Sequence, residues 1–183
     1  MSTRSVQEFY HMPDAEGDEM GQPAAVIYTH SDGYPQGQAG MLYRLAYLEK
    51  LCAKGFEMYG SRQTDAQWVA AEYISQFRVA SDAPRDRTSE WQYVGEGGFA
   101  GGHRHRGGIY VTSSVHNHGD IRYLYRIVCK PKWEVHVFRP KLAEGPGFKI
   151  ESFEEIPKSE LVEMERKEKA QVRAWKKERK AVR

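Results

Sequence analysis

The chain has 183 residues, 40% of them apolar and 28% charged, with a net charge of +2. This composition fits one globular domain and excludes a collagen-like repeat, a simple coiled coil and a wholly disordered tail. No run of about 18 apolar residues occurs, so no membrane span is expected, and the segment behind Met1-Ser2-Thr3-Arg4-Ser5 is not apolar, so no signal peptide is expected.

Two cysteines, Cys52 and Cys129, make no disulfide framework and suit a reducing cytoplasm. The net charge is too small to imply a nucleic-acid partner by itself.

Thr3 to Tyr10 alternates weakly through Val6 and Phe9 and reads as a strand. Pro13, Asp14, Gly17, Asp18 and Gly21 make Met12 to Gln22 a loop. Ala24 to His30, with Val26, Ile27 and Tyr28, is a second strand, so the two form a hairpin around a long acidic loop. Ser31-Asp32-Gly33-Tyr34-Pro35-Gln36-Gly37 then breaks the chain as a turn. Leu42, Leu45, Leu48 and Cys52 recur at helical spacing and predict a helix from Ala39 to Ala53, with Gly55 as its C-terminal cap. A second helix is predicted over Asp65 to Val79, capped by Thr64.

Ala80 to Glu90 reads as an exposed loop and Trp91 to Val94 as a short strand. Seven of the fourteen residues from Gly95 to Gly108 are glycine, which opposes any stable helix or ordinary strand there. Ile109 to Ser113 returns to strand composition. Ile121 to Lys130 is the clearest strand, with Ile121, Tyr123, Tyr125, Ile127 and Cys129 on one face. After a turn at Pro131-Lys132, Glu134 to Arg139 is the return strand, and Phe148 to Phe153 a further one. The stretch Ile109–Arg139 therefore predicts an antiparallel meander with one side partly wet. From Lys158 to Arg183 runs a helix, with Ser159 able to cap it and Glu160 and Glu163 suiting its positive start. Its charge turns basic toward the end, and its first half together with Trp175 has the apolar residues needed to dock on a core.

The fold expected is α+β: a mostly antiparallel sheet, two helices packed on one face, and a long charged C-terminal helix. Residues 1–157 form one domain, and residues 158–183 project in part.

Two stretches carry a family resemblance: Thr3-Arg4-Ser5, and Tyr28-Thr29-His30-Ser31-Asp32-Gly33-Tyr34-Pro35-Gln36-Gly37. Together they resemble a group of small uncharacterised bacteriophage, prophage and bacterial proteins. That group begins with a Thr-Arg-Ser strand and carries Tyr-x-His-x-Asp-Gly-Tyr-Pro after the second strand. Gly119-Asp120-Ile121-Arg122-Tyr123-Leu124-Tyr125 is similar to their aspartate-plus-aromatic strand. The resemblance implies a phage-related origin and little chemistry, and the basic C-terminal helix lies outside it.

Four constellations can carry chemistry. In the first, His30, Asp32 and Tyr34 offer a polar strand-end site, with His30 as base or ligand and Asp32 orienting it. The same residues also suit a purely structural turn over a helix start. In the second, His103-x-His105 and His116-x-His118 could give four imidazoles to zinc, although no cysteine or carboxylate completes a zinc pattern. In the third, the glycine-rich loop with Arg104 and Arg106 could cradle an anion, but it lacks the strand-to-helix context of a dinucleotide site. The fourth is the basic tail, Arg173, Lys176, Lys177, Arg179 and Lys180. It could contact phosphates, or could simply suit the negative end of the helix dipole, and Trp175 among its cations argues for a partner. No nucleophile elbow occurs.

The sequence thus points to a phage-type cytoplasmic accessory protein that binds a host protein or nucleic acid through Arg104, Arg106 and the basic helix. No cofactor and no membrane partner are expected. The alternative is a metal- or nucleotide-dependent enzyme, with zinc the candidate ion, whose site joins His30 and Asp32 to the His103–His118 region.

Overall fold

The computed structural model describes residues 3–13, 20–30, 33–37, 40–54, 62–79, 92–93, 99–100, 109–114, 120–144 and 149–181. Six strands form one sheet: β1 (Ser5–His11), β2 (Ala25–Thr29), β5 (Ile109–Val111), β6 (Tyr123–Cys129), β7 (Glu134–Leu142) and β8 (Ile150–Glu155). Their spatial order is β5-β2-β1-β6-β7-β8. Two short strands, β3 (Gln92–Tyr93) and β4 (Phe99–Ala100), pair as a separate ribbon. The helices are α1 (Met41–Lys54), α2 (Ala66–Val79) and α3 (Lys158–Ala181).

The class is α+β, but the sheet is mixed. β1 pairs antiparallel with β2, as the hairpin reading expects, yet parallel with β6. The expected meander is also corrected: β5 pairs with β2 at the sheet edge rather than with β6. The reason lies in β6, which is apolar on both faces. Tyr125 and Ile127 on one face and Leu124 and Val128 on the other are all buried, and a strand buried on both faces belongs mid-sheet. The chain between β1 and β6, which includes α1 and α2, serves as the long crossover that a parallel pair requires.

On one face, Phe9, Ile27, Tyr125, Ile127, Cys129 and Val137 share a buried cluster with Met41, Leu45, Leu48 and Cys52 of α1 and Ala66, Val69, Ala70 and Tyr73 of α2. On the other, Val6, Val26, Tyr28, Ile121 and Leu124 form a second cluster. That second face is drier at its centre than expected. Glu8, almost fully buried, accepts from Arg126 Nε at 3.0 Å and from the Tyr10 hydroxyl at 2.8 Å. Ile121 belongs here and not with Tyr123, because the chain bends at Arg122 before β6 begins.

Element ends differ from the sequence expectations for local reasons. Asp65 caps α2 in place of Thr64, its carboxylate accepting the Trp68 amide at 3.0 Å. α1 starts at Met41, where the Tyr34 and Pro35 carbonyls accept the amides of Met41 and Leu42 at 2.8 and 3.1 Å. α3 starts at Lys158, which leaves Ser159 inside the first turn. The Pro157 carbonyl accepts from Glu160 and Leu161 at 2.9 and 3.1 Å. Gly55 and the segments 80–91 and 94–98 lie outside the described residues.

Candidate functional site

The described residues of Thr3–Ser5, of positions 28–37 and of positions 120–125 meet at one end of the sheet. β1 and β6 begin there and β2 ends there, because Ser5 lies opposite both Thr29 and Tyr123. The Gly33 amide donates to the Thr3 carbonyl at 2.8 Å, and the Tyr125 hydroxyl donates to the Gly33 carbonyl at 2.8 Å. A Cβ at Gly33 would run into the Ser5 side chain and lie 2.9 Å from the Ser5 backbone nitrogen. The glycine of the Asp-Gly-Tyr-Pro turn is therefore required by close approach to the Thr-Arg-Ser strand. Arg4 forms an ion pair with Asp120, and the Arg122 amide donates to the Arg4 carbonyl at 2.9 Å.

A chain of buried polar side chains runs beneath this junction. Gln7 Nε2 donates to Ser5 Oγ at 2.7 Å, and Thr29 Oγ1 donates to Gln7 Oε1 at 2.8 Å. The Tyr73 hydroxyl lies 3.3 Å from Thr29 Oγ1 and donates to Met41 Sδ at 3.3 Å. Arg44, also buried, holds its guanidinium 5.6 Å from the centre of the Phe77 ring. Burial raises the Tyr73 phenol, against the lowering pull of Arg44, and raises the Tyr125 phenol well above its ordinary range. Both stay protonated near neutral pH and act as donors, not as bases. Burial pushes the Cys52 and Cys129 thiols up to about 12, so neither is a thiolate nucleophile near neutral pH. Sequence reasoning missed this polar chain. Its signal was the placement of Ser5 and Gln7 on the same strand face as Phe9, which sits in the core.

His30 is half-buried at the end of β2, its ring edge-on to Tyr28 with centroids 6.2 Å apart. Tyr34 is half-buried and gives its carbonyl to the α1 start. Asp32 lies outside the described residues, as do Arg104, Arg106, His103, His105, His116 and His118. Among the described residues no group of three or more histidines, cysteines and carboxylates could hold a metal ion. No helix among them is long and apolar enough to cross a membrane.

The other candidate region is α3. Its first half is anchored. Gln36 Nε2 donates to the Leu161 carbonyl at 2.9 Å, Arg139 donates to Glu160 at 2.6 Å, and Leu161 packs on the core. Glu168 closes over Gly37, whose φ of +89° favours glycine and where a Cβ would meet that carboxylate. From Lys169 to Ala174 every residue is exposed, Arg173 among them. The helix continues to Ala181 through Trp175, Lys176, Lys177, Arg179 and Lys180, whose side chains lie outside the description.

Charge divides sharply along this boundary. Residues 169–183 hold seven lysines and arginines against one side-chain carboxylate, Glu178, a net of +6. With +2 for the whole chain, the first 168 residues carry −4.

Comparisons of the chain with protein-family models, curated proteins and solved structures returned no match.

Proposed function

We propose that the chain is an accessory protein of bacteriophage type that binds nucleic acid, with the basic half of α3 as its contact and Arg104 and Arg106 adding to it. The observation that carries this reading is the stretch of α3 beyond Glu168, exposed as far as Ala174, where a net charge of +6 gathers on a chain that is otherwise acidic. An acidic body cannot attract a polyanion by its overall field, so a basic segment at one end of the chain supplies the attraction. The phage-type origin rests on the resemblance in three stretches, whose described residues meet at one junction.

The test is a tagged pull-down from host lysate, with and without nuclease, using the native chain and a variant with charges reversed at Arg104, Arg106, Lys176, Lys177 and Arg179. The expected result is nucleic acid retained by the native chain, removed by nuclease and lost in the variant. A discrete host protein retained after nuclease, or retention unchanged by charge reversal, would overturn the reading. Stoichiometric metal in the purified protein, lost on His103→Ala with His116→Ala, would favour the enzyme alternative instead.

A further inference from the structure

Beyond Glu168, four of the chain's seven cations fall on one face of α3, while Arg179 stands four residues from Trp175 on another. Positions 173, 176, 177 and 180 follow i, i+3, i+4, i+7 and share one side of the helix. All four are cations: Arg173, Lys176, Lys177 and Lys180. Position 175 falls elsewhere, on the line of positions 161 and 168, seven residues apart each time. That line is the side by which the first half of α3 docks, since Leu161 packs on the core and Glu168 closes over Gly37.

The two halves also treat their cations differently. From Arg166 to Lys169 the cations are neutralised within the helix. Arg166 and Lys167 meet Glu163 at 2.9 and 3.9 Å, and Lys169 meets Glu165 at 2.6 Å. In the second half no carboxylate stands three or four residues from Arg173, Lys176, Lys177 or Lys180, because Glu178 is out of step with all of them. Arg173 and Lys177, and Lys176 and Lys180, are instead like-charge pairs at i, i+4, which weaken a helix. The cationic face is thus arranged at a cost to the helix that an external row of anions would relieve.

We propose that this face binds the backbone phosphates of duplex DNA. The inference rests on the nucleic-acid reading above and names which nucleic acid. Single-strand sites interleave cations with aromatic side chains on which bases stack, whereas the one aromatic here, Trp175, sits at a position off the cationic face. The major groove of A-form RNA is too deep and narrow for side chains to read, while that of B-form DNA is about 12 Å wide and admits a helix.

The test is fluorescence anisotropy with the full chain against mixed-sequence duplex DNA, single-stranded DNA and duplex RNA of equal length. Duplex DNA is expected to bind tightest. Four phosphate contacts predict a slope of log K against log salt of about −3.6, or about a 10²-fold loss between roughly 50 and 200 mM salt. Replacing Arg173, Lys176, Lys177 and Lys180 by Gln should remove most of the duplex affinity and flatten the salt slope by about 3.6, while circular dichroism shows the helix kept, since Gln is nearly as good a helix former. Trp175→Ala should leave duplex affinity within about twofold, because base stacking worth about 1–3 kcal/mol would be lost only if Trp175 took part. Tighter binding to single strands or to RNA, or a loss on Trp175→Ala equal to that of the fourfold variant, would overturn the duplex assignment and leave the nucleic-acid reading standing. Failure of all three nucleic acids to bind at low salt would overturn both.

Discussion

The strand-end junction and the far half of α3 are built on opposite principles. At the junction, Thr3, Ser5, Gly33 and Tyr125 come from three distant stretches and fit so closely that a single added carbon at Gly33 has no room. Their polar groups answer one another inside the protein. On α3 beyond Glu168, the described residues to Ala174 are exposed and the cations of the basic face have no carboxylate at helical spacing. The junction is thus occupied with holding the fold together, while the described residues of α3 from Lys169 to Ala174 face solvent. A turn that must pass within contact distance of a strand constrains its residues as tightly as a reaction would.

Four perturbations should separate the two regions, the largest first. Alkaline pH should unfold the anchored core. The Cys52 and Cys129 thiols are pushed up to about 12 by burial, and the Tyr73 and Tyr125 phenols are raised with them. Folded pKa values above the unfolded ones mean that the native state holds protons which the unfolded state has released. Stability is therefore full below an unfolded thiol pKa of about 8.5 and falls as pH rises toward the folded values. The loss of ellipticity should coincide with the last part of the rise in phenolate absorbance, which the buried phenols supply, since exposed phenols can ionise in the folded chain. Complete phenolate absorbance with native ellipticity would show that the core is more open than its burial indicates.

Gly33→Ala comes next. The new Cβ meets Ser5 backbone, which cannot swing aside as a flexible side chain could, so a loss of about 1–3 kcal/mol is expected from urea denaturation. A neutral outcome would mean that the turn can move away from β1. Tyr125→Phe removes the buried donor to the Gly33 carbonyl and should cost about 1–2 kcal/mol by the same measurement, because a buried acceptor loses its partner. Near-additivity of these two changes in the double variant would show that they act separately, whereas contacting residues are expected to couple by at least about 0.5 kcal/mol. The smallest effect on stability should come from the Gln variant at Arg173, Lys176, Lys177 and Lys180. A change within about 0.5 kcal/mol is expected there, as for surface positions generally. A larger loss would place those cations in the anchoring of α3.

Much of the fold was legible in local pattern. The 3.6-residue spacing of Leu45, Leu48 and Cys52 marks α1, the alternation in Tyr123–Cys129 marks β6, and the acidic-to-basic gradient marks α3. These signals sit in neighbouring residues, where helix and strand periods impose them. The order of strands was not legible. Ile109 and Ile121 are close in sequence, yet β5 ends at one edge beside β2 and β6 lies in the middle beside β1. The double-sided apolar character of β6 was the available hint, visible in Leu124 and Val128. The cap of α2 slipped by one residue because Thr64 and Asp65 both suit that position until the backbone selects one, and α3 begins one residue before Ser159.

By itself, then, the sequence determined most of the elements, β4 within the glycine-rich stretch excepted, the class of the fold and the location of the basic segment, because each depends on residue types within a few positions of one another. Only the tertiary structure decided that Thr-Arg-Ser, Gly33 and the start of β6 form one junction, and that Ser5, Gln7, Thr29 and Tyr73 make one buried polar chain. It also decided that α3 is anchored through Glu160, Leu161 and Glu168 and exposed from Lys169 to Ala174. Those facts depend on which distant segments come within hydrogen-bond reach, and that is set by the pairing register of the sheet and by the packing of helices on it, neither of which is written in any short stretch of the chain.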